Sequence, residues 1–284
     1  MSNLFIVPID FEEQSMISLE QAGNLAYVLK SDIILLHVMD EPGSSASAKQ
    51  YHKELKAEIK DKLEVYVKNL SNEYGLKVSY EIRYGKPYQE ICDFAEEKDA
   101  TLIIMGSNKY KGIKRFIGSN SLRVVRQSSI PVITIKGKSH KKGCERILLP
   151  LDLTKETREK VARCLEFARA YGAEVHVVSV NENDSFEKSA LERQMNQVKT
   201  YLQGHDIKVV DKFLVKSGSI AQTILKYGME NDVDLIMIMT QQEQNITDLF
   251  IGSQAQDIIN NSEIPVLSVI PRTQEVSIGS IFYS

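Results

Sequence analysis

The heptapeptide LFIVPID, residues 4–10, returns as RILLPLD at 146–152. Pro8 and Asp10 fall on Pro150 and Asp152, an offset of 142. A short apolar run stopped by turn-forming residues reads as a buried strand. The repetition extends outward. DIILLHVMDE (32–41) matches EVHVVSVNEN (174–183) at the same offset, and RYGKPYQEICDFAEEKDATLIIM (83–105) matches KSGSIAQTILKYGMENDVDLIMI (216–238) at 133. FIGSNS (116–121) pairs with FIGSQA (250–255), and SSIPVITI (128–135) with SEIPVLSV (262–269), both at 134. Five blocks in one order make the chain a tandem repeat. Each copy is long enough to fold alone, which excludes a solenoid.

Within each copy the period alternates. Apolar, β-branched runs at 4–9, 33–38, 78–82, 102–105 and 130–135 predict strands. Between them, Ile17, Ala22, Leu25, Ala26 and Leu29 share one helical face, and Leu55, Ile59, Leu63, Tyr66 and Leu70 another. Gly75 suits the second helix's C-terminal cap. Strand–helix alternation predicts parallel strands with right-handed crossovers, so an α/β chain of two repeated doubly wound domains. The first is expected at 1–137 and the second at 144–272, with a shorter second helix near 184–203. The basic, glycine-bounded KGKSHKKG (136–143) is read as the linker, and 273–284 as a tail beyond the repeat.

A chain of 284 residues agrees with two domains. The net charge of −3, from 35 basic and 38 acidic residues, gives no field directed at nucleic acid. The N-terminus lacks a signal peptide's basic and apolar regions. No apolar run approaches the roughly 18 residues of a membrane span, so no membrane partner is expected. Cys92, Cys144 and Cys164 have no metal-binding spacing, and their low, odd number fits a reducing, cytoplasmic setting. His37 is expected as a satisfied core histidine, since Ser179 replaces it in the second copy. Asp10, Glu12 and Glu13 read either as a metal-binding cluster or as acidic residues at a helix start.

Ligands of doubly wound sheets sit beyond the carboxyl ends of the strands, where strand order reverses. Two groups can meet there: Asp10, and the glycine-rich loop MGSNKYKGIKRFIGSNSL (105–122) leading into a helix near Gly118-Ser119. Glycines and helix-start amides favour phosphate. Gly106 as a turn residue with Ser119 as a helix cap explains the same residues. The spacing is neither GxxxxGK[ST] nor GxGxxG.

Each half resembles a universal stress protein domain, over about 1–136 and 145–272. The resemblance rests on VPID and LPLD, LLHVMD, LIIMGS, GIKRFIGSNS and IPVITI. It implies a five-stranded parallel sheet with helices on both faces in each half. It also implies an ATP site marked by G-x2-G-x9-G-[S/T], with Asp and Val positions for the nucleoside. Carried over, the first-half candidates are Pro8, Asp10, Val38, Met105, Gly106, Gly118, Ser119, Asn120 and Ser121. Lys109 replaces the motif's second glycine, and eight residues rather than nine separate it from Gly118. In the second half Met239 and Gln242 take the glycine positions and Ala255 the final hydroxyl, while Asp152, Val180, Gly252 and Ser253 remain. A methionine there resists a left-handed backbone and places a Cβ against phosphate. Nucleotide, with Mg2+, is therefore expected in the first half only, and a structural or regulatory role in the second.

The implied function is a cytosolic, nucleotide-responsive binding and signalling module of stress response, with at most weak ATP hydrolysis. A slow ATPase using Asp10 to position Mg2+ and an interaction module that has lost nucleotide in both halves are the alternatives. The last strands, IPVITI and IPVLSV, are apolar edges that need cover. The halves are expected to pack through them as an intrachain pseudo-dimer, and the resemblance also allows a homodimer of the whole chain.

Overall fold

Strand and helix alternate within each half of the residues described by the computed structural model, which are 3–107, 120–137, 143–151, 157–181, 185–240 and 252–270. The first half runs β1 (Asn3–Pro8), α1 (Glu13–Leu29), β2 (Ser31–Met39), α2 (Ala46–Tyr74), β3 (Val78–Tyr84), α3 (Pro87–Glu97), β4 (Leu102–Gly106), α4 (Asn120–Gln127) and β5 (Val132–Ile135). The second runs β6 (Arg146–Pro150), α5 (Thr157–Tyr171), β7 (Glu174–Asn181), α6 (Ser185–Gln203), β8 (Val209–Val215), α7 (Ile220–Glu230), β9 (Leu235–Met239), α8 (Ser253–Asn261) and β10 (Val266–Val269). The linker centre, 138–142, and the expected tail lie outside the described residues.

Each half contributes five parallel strands, ordered β3-β2-β1-β4-β5 and β8-β7-β6-β9-β10. The two sheets fuse into one of ten strands through β5 and β10, which run antiparallel with Thr134 opposite Val266, Ile133 opposite Leu267 and Val132 opposite Ser268. All eight residues of these two strands are buried. The apolar edges of β5 and β10 are thereby paired inside the chain, and β3 and β8 form the outer edges of the sheet.

Helices cover both faces. Side chains of a strand alternate between faces, so Phe5 and Val7 join one apolar layer and Ile6 the other. Helices α1, α2, α5 and α6 supply the first layer through Leu19, Leu63, Cys164 and Leu202. Helices α3, α4, α7 and α8 supply the second through Phe94, Leu122, Ile224 and Ile258. Both layers are continuous across the seam between halves. The expected helical faces are confirmed: Ala22, Leu25, Ala26, Ile59, Leu63 and Leu70 are buried, with Ile17, Leu29, Leu55 and Tyr66 half-buried against them. Gly75 caps α2 in a left-handed conformation, φ 66°, its N–H donating to the Ser71 carbonyl. No helix among the described residues is long and apolar enough to cross a membrane.

Strand order reverses between β1 and β4 in the first half, and between β6 and β9 in the second. The chain leaves β1 toward β2 on one side, whereas β4 and β5 lie on the other, so the crevice past the carboxyl ends of β1 and β4 is left open.

Candidate functional site

A cleft of about 150 Å³ occupies that crevice. Pro8, Asp10, Val38, Met105, Gly106, Asn120 and Ser121 line it, together with Leu36, Pro87, Ile91, Gln14 and Ser15. Every described candidate from the sequence therefore meets at one place. Gly118 and Ser119, like Lys109, Asp152 and Gln242, lie outside the described residues. The cleft has two kinds of wall. Leu36, Val38, Pro87, Ile91 and Met105 are apolar, while Asp10, Gln14, Ser15, Asn120 and Ser121 bring polar groups.

The β1–α1 turn sets the polar wall. Ile9 still belongs to the sheet, its N–H donating to the Leu36 carbonyl at 2.9 Å. Asp10 then points to solvent, and its Oδ1 accepts from the Glu12 N–H at 2.9 Å. Ser15 Oγ sits 3.4 Å from the Asp10 amide and donates to the Glu12 carbonyl at 2.9 Å. Of the two readings of Asp10, Glu12 and Glu13, the structure favours the helix start: Glu12 is the N-cap and Glu13 lies in the first turn. No group of three or more His, Cys, Asp or Glu among the described residues is gathered as for a metal.

Phe11 between them has φ 64°, a left-handed backbone that is uncommon outside glycine and costs of order 1–3 kcal/mol. Its ring holds it there, packed 5.1 Å from His37 and 6.3 Å from Tyr66. His37 is half-buried rather than fully buried, because β1 ends before it and leaves one side open. Its Nδ1–H donates to the Ile9 carbonyl at 2.6 Å. Burial holds its pKa below the ordinary imidazole value, against the opposing pulls of that carbonyl and of Asp10.

Gly106 lines the cleft and also has a packing role. The sequence suggests a glycine that admits phosphate or a left-handed turn. Neither it nor Met239 is among the positive-φ residues. A Cβ on Gly106 would instead lie 2.4 Å from the carbonyl carbon and oxygen of Gln14 and 2.8 Å from the Ser15 amide. Glycine here lets the first turn of α1 seat directly on the end of β4. Beyond it, the Ser107 N–H donates to the Ile135 carbonyl at 2.7 Å. The buried Ser107 and Ser121 hydroxyls lie 3.0 Å apart, which pins α4 to the strand end.

Sequence reasoning missed Gln14, Ser15, Leu36, Pro87, Ile91 and Phe11. Pro87 had a signal, a proline suited to the first position of a helix just past a strand. Ser15 is held by its own turn, through Asp10 and Glu12, and Gln14 and Phe11 are placed by contacts distant in sequence.

A doubly wound α/β repeat with a cleft at the switch point of its first half is the class that fold and site define. The universal stress protein family model matches residues 1–136 and 143–269. The chain belongs to the universal stress protein family, carrying two of its domains in tandem. A universal stress protein of Methanocaldococcus jannaschii is 28% identical over 158 residues, 49% of this chain and 98% of the relative. The crystal structure of a universal stress protein from Archaeoglobus fulgidus covers 96% of this chain and 100% of its own, at 21% identity and a TM-score of 0.78, a likeness of fold. A structure of the universal stress protein from Archaeoglobus fulgidus in complex with dAMP is 18% identical and covers 44% of this chain and 96% of its own, with a TM-score of 0.38.

Proposed function

We propose that this chain is a cytosolic, nucleotide-responsive binding and signalling module of stress response, and that it takes an ATP-type ligand in the first half alone. The observation that carries this reading is the convergence of Pro8, Asp10, Val38, Met105, Gly106, Asn120 and Ser121 on one cleft. The donor set suits a nucleoside phosphate. A base has an apolar slot between Val38, Leu36 and Ile91, a ribose has Asp10 beside it, and phosphates meet the start of α4 at Asn120 and Ser121. Mg2+, where it accompanies the ligand, is brought by the phosphates. Bound nucleotide would supply charge at the α4 end, and this chain's residues would orient it there.

The second half is read as a structural partner over about 144–272. At its switch point Lys160, 4% exposed in the first turn of α5, donates to the Pro150 carbonyl at 2.5 Å. The equivalent first-half residue is Ser18, a small hydroxyl whose Oγ donates to the Ser15 carbonyl at 2.7 Å. The antiparallel β5–β10 pairing supports reading the two halves as an intrachain pseudo-dimer.

Calorimetric titration with ATP tests the assignment. ATP at ~100 times its Kd is expected to stabilise the folded chain by about 2.7 kcal/mol. Gly118→Val should abolish the heat of binding and Gly252→Val should leave it. Binding lost in the second variant and kept in the first would reverse the assignment of halves.

A further inference from the structure

We infer that Gln14 couples the first-half cleft to the seam between the halves, so that occupancy of the cleft tightens the seam. This rests on the nucleotide reading of the cleft. Gln14 lines the cleft and belongs to the first turn of α1. Its side-chain amide makes a reciprocal pair with one backbone residue: Nε2 donates to the Gly137 carbonyl at 3.0 Å, and Oε1 accepts from the Gly137 N–H at 3.1 Å. A primary amide presents the same donor and acceptor as a peptide group. The pair thus continues the hydrogen bonding of β5 past its last residue, using a side chain 123 positions away in sequence.

Three contacts make this a link rather than a local tie. The main chain of Gln14 is fixed against the end of β4 by the missing Cβ of Gly106, leaving no slack on the cleft side. Gly137 directly follows Lys136, whose Nζ donates to the Asn260 carbonyl of α8 in the second half. A Cβ built on Gly137 would lie 3.7 Å from the Glu263 carbonyl, also in the second half. One amide therefore bridges the wall of the cleft and the point where β5 meets the partner half. A ligand pressing on Gln14 and Ser15 bears on that bridge. By linkage, whatever the ligand gains from an ordered clamp is returned as order at Gly137 and along β5–β10.

In the second copy Glu156 stands at the equivalent sequence position. A carboxylate accepts but does not donate when ionised, so it cannot form the reciprocal pair.

Amide hydrogen exchange of the full chain, with and without ATP, tests the inference. Each protein is held at ATP concentrations that saturate it, as set by calorimetry. In the unaltered chain ATP should slow exchange of the Gly137 amide and of the β5 and β10 amides by at least about fivefold, the lower end of ordinary coupling between sites. At saturating ATP, Gln14→Leu, and Gln14→Asn, whose amide is one methylene too short to reach, should lose the slowing at the seam, whatever change in Kd the loss of a cleft-lining side chain brings. Bound ATP with unchanged exchange at Gly137, or seam slowing that survives both variants, would overturn the coupling. Failure of ATP to bind the unaltered chain would overturn the functional reading, and the coupling with it.

Discussion

Residue by residue, the two halves differ most instructively where a buried pair has changed as a unit. In the first half Ile34 and Phe94 pack in an apolar layer. At the same repeat positions the second half carries His176 and Tyr227. His176 is 5% exposed, its Nε2–H donating to Glu174 Oε1 at 2.9 Å and its Nδ1 accepting from the Tyr227 hydroxyl at 2.9 Å. A buried polar group stabilises only with its partner present. Tyr227→Phe or His176→Ile alone should therefore cost about 1–3 kcal/mol, the penalty for an orphaned buried group. The double variant restores the first-half pair and should cost less than the two single losses added. Urea denaturation of all four proteins measures the cycle, and strict additivity would show that the two groups do not depend on one another.

Elements show where the sequence could be read and where it could not. Strands β1, β2, β4 and β5 were legible because a doubly covered parallel sheet imposes apolar runs. The faces of α1 and α2 were legible because burial follows the helical period. The meeting of Asp10 with the start of α4 at one crevice followed from the topology, whereas Val38 and Ser121 came only from the family resemblance. The use of Gly106 followed from neither, because the clash it avoids involves Gln14, far away in the chain. Nor did the left-handed Phe11, which has no local sequence signal and is held by His37 of β2 and Tyr66 of α2. This turn carries a pH dependence. The folded-state pKa of His37 lies below its unfolded value, so the folded chain binds fewer protons there. Its stabilising contribution is complete above the ordinary imidazole value of about 6.5 and is lost as pH falls through the folded pKa. Acid should therefore lower the melting temperature, and His37→Gln should lower it less steeply between pH 7.5 and 5. The same slope in both proteins would remove His37 as the cause.

For the whole molecule, two continuous apolar layers and one ten-stranded sheet predict that the halves melt together rather than in sequence. Leu267, 1% exposed at the seam opposite Ile133, tests this. Leu267→Ala should cost about 2–5 kcal/mol. Scanning calorimetry should still show a single transition at a lower temperature, whereas two resolved transitions would mean that the halves are energetically separate. The seam itself is not symmetric in its side chains. Arg126 of α4 donates to Gln256 of α8 at 2.8 Å. Under the repeat offset of 134, the mirror-image contact would join Asn260 to Leu122, a pair that cannot reproduce it. In an assembly of identical subunits each contact is isologous: a substitution changes both sides at once, and a complementary pair must be compatible with itself. Covalent joining lifts that constraint. Each side of this seam is free to specialise as donor or acceptor, and a first half set against a second copy of itself would place Leu122 where Arg126 now meets Gln256.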